Sequence, residues 1–108
     1  MTFARNYESS EPARADVDAR AGPAVLEFGA PWCGHCIAAQ PAIEVAFAMH
    51  EDVRHVKVED GRGQPLGRSY RIKLWPTLVF LRDGQEVDRL VRPDDATEVE
   101  QALARIAR

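Results

Sequence analysis

The sequence predicts an α/β fold, a mixed central β-sheet with helices on both faces. Three observations predict it. The apolar spacing switches repeatedly between period two and a helical period. Most strand-like runs are followed by a helix-like one, so successive strands pair through right-handed crossovers and lie parallel. The last two strand-like runs meet at Asp83-Gly84, a hairpin signal that adds one antiparallel strand. The expected order is β-α-β-α-β-α-β-β-α in one domain over 1–108, with residues 1–22 as an N-terminal strand and helix.

Each element has a local reason. Residues 3–7 (FARNY) alternate and read as a short edge strand. Ser9 or Ser10 followed by Glu11-Pro12 is a hydroxyl cap with proline in the first turn, predicting a helix over 11–20 that Gly22-Pro23 ends. Residues 24–29 (AVLEFG) are a short apolar run, the pattern of a strand covered on both faces. Cys36, Gln40, Ile43, Phe47 and His50 then recur at spacings of three and four, predicting a helix over 33–49 kinked at Pro41. Residues 53–59 (VRHVKVE) return to period two, and Gly61, Gly63 and Pro65 mark a loop before a short helix within 65–71. Residues 77–82 and 86–91 are the hairpin strands. Asp95 followed by Glu98 is a capping-box variant, opening a last helix with Val99, Leu103 and Ile106 on one face and Arg105 and Arg108 near its negative end.

Composition narrows the function. The 108 residues are 45% hydrophobic, enough to build a core and too apolar for a disordered chain. The net charge of -3 disfavours a nucleic-acid partner. No stretch approaches the roughly 20 apolar residues that span a bilayer, and the first 22 residues hold no apolar run of the secretory kind. A cytoplasmic monomer with no membrane or nucleic-acid partner is expected.

Two cysteines, Cys33 and Cys36, stand two residues apart. Such a pair is a redox or metal signal rather than a disulfide framework. Lying between a buried strand and a helix, they fall at the helix N-terminus, where free N–H groups and the macrodipole favour a thiolate. Cys33, at the tip, is the expected nucleophile. Cys36, one turn in, is placed to resolve the mixed disulfide, with Gly34 relaxing the backbone between them. An imidazolium at His35 would stabilise the reduced form and make the disulfide a better oxidant. Two other readings stay open: a pair of inert buried thiols, and half a zinc site completed from His35, His50 and His55. Otherwise His50 and His55 are expected at the surface. A haem site is excluded, since Ile37 stands where the C-x-x-C-H motif needs histidine.

The pattern F-x-A-x-W-C-x-x-C with a proline five residues on, a W-P-T strand start and an Asp-Gly hairpin resembles the thioredoxin family, from about residue 23 to the end and more loosely over residues 1–22. The Cys33-Gly34-His35-Cys36 tetrad looks like that of protein disulfide isomerases; the rest looks like a small bacterial thioredoxin. The resemblance implies a thioredoxin fold and a protein thiol–disulfide oxidoreductase, working as a reductase, with no metal or organic cofactor because the dithiol is the redox group. It implies protein disulfide or dithiol substrates and an upstream reductase as partners. It places Glu27, a costly carboxylate in a buried strand, as the base for Cys36, with Lys57 as its charge partner. It makes Pro76 a cis proline beside the sulfurs. Trp32, Gly34, His35, Trp75, Thr77 and Arg92 are the residues expected to meet substrate. Trp75 is equally suited to ordinary packing. Arg92 stands where thioredoxins carry glycine, and would narrow the groove, select acidic partners or simply be solvated. Three rivals remain: a disulfide isomerase or oxidant, favoured by His35, a redox-regulated binding module without turnover, and a non-catalytic structural subunit.

Overall fold

A computed structural model describes residues 3–107. The elements are α1 (Arg14–Ala19), β1 (Pro23–Gly29), α2 (Gly34–Phe47), β2 (Arg54–Glu59), α3 (Pro65–Ser69), β3 (Thr77–Arg82), β4 (Gln85–Val91) and α4 (Ala96–Ile106). They build the expected mixed sheet, in the strand order β2-β1-β3-β4.

Strand β1 is buried along its whole length, so its alternating side chains serve two cores. Val25 faces the cluster of Ile43 and Phe47 from α2 with Val99, Leu103 and Ile106 from α4. Ala24, Leu26 and Phe28 face Val17 of α1 and Leu66 of α3. Helix α2 passes through Pro41 without a break and ends at Phe47, two residues short of the expected end. Asp95 caps α4 as its sequence predicts, its Oδ1 accepting from the Glu98 N–H at 3.0 Å.

Three expectations are corrected. First, β1 pairs parallel with β2 but antiparallel with β3. A parallel crossover must carry the chain back along the sheet. The 14 residues of α2 rise about 21 Å and do so; the five of α3 rise about 8 Å. The chain therefore enters β3 at the end where β2 left off, with Phe28 opposite Thr77 and Pro23 opposite Arg82.

Second, residues 3–7 form no strand. The segment runs beside β2, and the Glu8 N–H donates to the Lys57 carbonyl at 2.9 Å. The Ala4 N–H, however, goes to the His55 imidazole at 2.8 Å rather than to a ladder carbonyl. Third, the first helix covers 14–19, with Ala13 as an uncapped start. Glu11 caps a different helix, its Oε1 accepting from the Leu66 N–H at 3.0 Å near the start of α3. Neither Ser9 nor Ser10 supplies the expected hydroxyl cap, since the helix starts at Ala13 with no side-chain cap bond.

Candidate active site

The site forms where β1 gives way to α2. Cys33 is the N-cap of α2, and its Sγ accepts from the Cys36 N–H at 3.2 Å. Both cysteines are free thiols. Cys33 is 8% exposed and Cys36 only 2%, so the outer thiol is the reachable one. Burial pushes the Cys36 thiol up to about 11, and its hydrogen bond with Cys33 acts in the same direction. Gly29 makes room for it: a Cβ there would sit 2.6 Å from the Cys36 Sγ. Gly34, by contrast, meets nothing within 4 Å and has no left-handed φ, so the turn does not require glycine for space or backbone.

Behind the sulfurs lies a buried polar network. Val25, Glu27 and Gly29 share the face of β1 that meets α2. Glu27 is fully buried. Its Oε1 is 2.8 Å from His55 Nε2, and its Oε2 accepts from Gln40 Nε2 at 2.8 Å. The bond from the Ala4 N–H makes His55 Nδ1 an acceptor, so Nε2 carries the hydrogen and a neutral imidazole donates to the carboxylate. His55 is thus buried, not at the surface, and stacks on Phe47 at 4.4 Å. Lys57 does not pair with Glu27 directly, as expected of it. Its Nζ donates to Gln40 Oε1 at 2.9 Å, and Gln40 stands between the two charges. The same Gln40 amide also donates to the Cys36 carbonyl at 2.8 Å, tying Glu27 to the helix that carries the thiols.

In front of the sulfurs is a cleft of about 390 Å³ lined by Trp32, Cys33, His35, Lys73, Trp75 and Arg92. Trp32 is 72% exposed and meets Trp75 edge-on, ring centroids 5.6 Å apart. Trp75 Nε1 donates to Asp60 Oδ2 at 2.9 Å, so this ring is both packed and part of the groove wall. The Trp75–Pro76 peptide is cis, as the resemblance implied. Arg92 adopts φ 51°, and its Nε donates to the Trp75 carbonyl at 2.8 Å. Thr77 departs from its expected place: it is buried, its hydroxyl donates to the Leu74 carbonyl at 2.6 Å, and it supports the loop.

Sequence reasoning missed Tyr7, Gln40 and His55. His55 and Lys57 are alternate residues of a strand paired in parallel with β1, so strand period alone puts both on the Glu27 face. Gln40 is one helical turn beyond Cys36. Tyr7 had no local signal, because its position depends on how an irregular segment docks. The zinc reading finds no support: among the described residues no group of three or more His, Cys, Asp or Glu is placed to hold a metal.

Two thiols at a helix N-terminus, one reachable and one buried, beside an apolar groove, define a protein built for dithiol–disulfide exchange. The Thioredoxin family model matches residues 7–105, and the chain belongs to the thioredoxin family. Its fold superposes on thioredoxin 2 of Pseudomonas aeruginosa in its reduced form with TM-score 0.86, at 51% identity over 96% of both chains. It is 37% identical over 70 residues to thioredoxin 1 of Synechococcus elongatus, covering 64% of this chain and 65% of that one. It is 33% identical over 82 residues to thioredoxin 1 of a Nostoc species, covering 75% and 77%. The chain is a thiol–disulfide oxidoreductase. Its family works through its own cysteine pair, acts on protein disulfides and is regenerated by a reductase. No described helix is long and apolar enough to cross a membrane.

Proposed function

We propose that the protein is a monomeric, cytoplasmic protein disulfide reductase. The reading is carried by one observation: Cys33 caps α2 with its sulfur on a backbone N–H, while Cys36 is held one turn deeper. Cys33, as thiolate, attacks a substrate disulfide and one substrate sulfur leaves. Cys36 then attacks the Cys33 sulfur of the mixed disulfide, the second substrate sulfur leaves, and the chain is left with a Cys33–Cys36 disulfide. Glu27 takes the proton of Cys36 through an intervening water, held in place by His55 and Gln40. The backbone around Trp75 and Pro76 pairs with an extended substrate segment, a strand-addition mode. Trp32 and Trp75 give that segment an apolar wall, and Gly34 leaves the helix tip open to it. Lys73 and Arg92 supply positive charge that suits acidic flanks.

The test is turnover of a disulfide-bonded polypeptide with a chemical reductant as electron source. Cys33→Ser abolishes turnover, and Cys36→Ser accumulates a mixed disulfide at Cys33. Turnover retained in Cys33→Ser, or a mixed disulfide on Cys36 instead, overturns the assignment. The exposed Trp32 favours one second reading, a binding module without turnover. That reading predicts partner capture that survives Cys33→Ser and a wild type that reduces nothing.

A further inference from the structure

The substrate cleft does not account for everything around the thiols. A second cleft, of about 580 Å³, shares no residue with it and reaches the site from behind. Its walls include Arg5, Tyr7, Cys36, Gln40 and Lys57. Within it the Tyr7 hydroxyl and the Cys36 thiol converge on the hollow over Gly29. A Cβ at Gly29 would lie 2.6 Å from the Cys36 Sγ and 3.0 Å from the Tyr7 oxygen.

Tyr7 is held there. Its segment is pinned by the Ala4 N–H on His55 and the Glu8 N–H on the Lys57 carbonyl. The Lys57 ammonium lies 4.6 Å from the centre of its ring. The ionisable groups around the hydroxyl are Cys33 and Cys36 from α2, Glu27 from β1 with His55 behind it, Lys57 from β2, and Arg5 on its own segment.

We propose that Tyr7 is a catalytic residue of the resolving step, its hydroxyl donating a hydrogen bond to the Cys36 sulfur as that sulfur becomes a thiolate. The need is plain. A buried thiol held at about 11 is almost wholly protonated at neutral pH, and a donor aimed at its sulfur opposes that bias. Tyr7 keeps its own proton: burial, the two thiols and the Glu27 carboxylate all push its hydroxyl well above the usual tyrosine range. In the step itself the Cys36 proton passes to water in the rear cleft and on to Glu27. The Cys36 electron pair forms the bond to the Cys33 sulfur. The Cys33–substrate bond breaks, and its electron pair leaves on the substrate sulfur, which takes a proton from solvent. Two electrons pass from the dithiol to the substrate, and Tyr7 is unchanged. The proposal rests on Cys36 being the resolving thiol.

The test compares wild type with Tyr7→Phe, which removes one oxygen. Rapid mixing with a disulfide peptide separates attack by Cys33 from resolution. Tyr7→Phe is expected to leave the attack unchanged and to slow resolution about fivefold to tenfold at pH 7, the scale of one lost hydrogen bond. A second measurement guards against a merely structural effect. In a Cys33→Ala background, alkylation of Cys36 by iodoacetamide follows its thiolate fraction, and Tyr7→Phe is expected to slow it by a similar factor. Unchanged rates in both assays overturn the proposal. So does faster alkylation, which would mean that Tyr7 only covers the sulfur. If wild type itself shows no resolving step, the reductase reading falls and this proposal with it; equal resolution in wild type and Tyr7→Phe removes Tyr7 alone.

Discussion

At the residue scale the site is decided by which group faces which. Glu27 and the two cysteines were legible in the sequence, because a carboxylate in an apolar strand and a C-x-x-C at a helix start are each improbable without a purpose. The partner of Glu27 was not legible. Charge alone favoured Lys57, but side-chain reach and the Ala4 N–H gave the carboxylate to His55. His55→Phe keeps the stacking on Phe47 and removes one donor from a buried carboxylate. It should lower unfolding free energy by about 2 kcal/mol in urea titration, the scale for a hydrogen bond to a charged group; a surface histidine would give nearly none.

Cys36 carries a pH signature. Its folded value, about 11, lies above its ordinary value of 9.0. In that window the folded state binds more protons than the unfolded, so stability falls as pH rises. The reduced protein should lose stability between about pH 9 and 11, and Cys36→Ala should lose less over the same range. Parallel stability curves for the two would contradict the assignment.

At the element scale, β1, α2 and the hairpin were legible because each has a clear period and clear ends. The direction of β3 was not, because it depends on the length of α3, and boundaries of so short a helix are weakly marked. The docked N-terminal segment was hidden for a related reason: its contacts are to a side chain and to a distant carbonyl. Gly29 shows how tightly β1 and α2 meet. Gly29→Ala would drive a Cβ into the Cys36 sulfur. Overpacking of this kind should cost about 1–3 kcal/mol in thermal or urea unfolding. It should also disturb the thiols, visible as a changed rate of resolution. A variant as stable as wild type would mean that the contact is looser than described.

At the scale of the whole molecule, fold and family could be read from the motif order, while selectivity depends on where charge collects. The chain carries a net charge of -3, yet the residues lining the substrate cleft include Lys73, His35 and Arg92 and no carboxylate. Arg92 holds a left-handed backbone that costs most residues about 1–2 kcal/mol, with its side chain over the Trp75 carbonyl. Arg92→Gly relieves that backbone and so should fold. Its kcat/KM for peptides with acidic flanks should fall several-fold, with a weaker salt dependence, while neutral peptides are spared. Equal loss on both peptide types would assign Arg92 to the shape of the groove rather than its charge.

The central claim is that Cys33 and Cys36 form one redox couple poised for reduction. Equilibrium titration in glutathione buffers measures it, followed by tryptophan fluorescence, since Trp32 lies next to Cys33 and Trp75 packs against the cluster of Ala30, Cys33 and Cys36. A reductase gives a single two-electron transition at about −270 mV. A potential of about −180 mV or higher would contradict that reading and make the protein an isomerase or oxidant, and the absence of any transition would remove the couple itself.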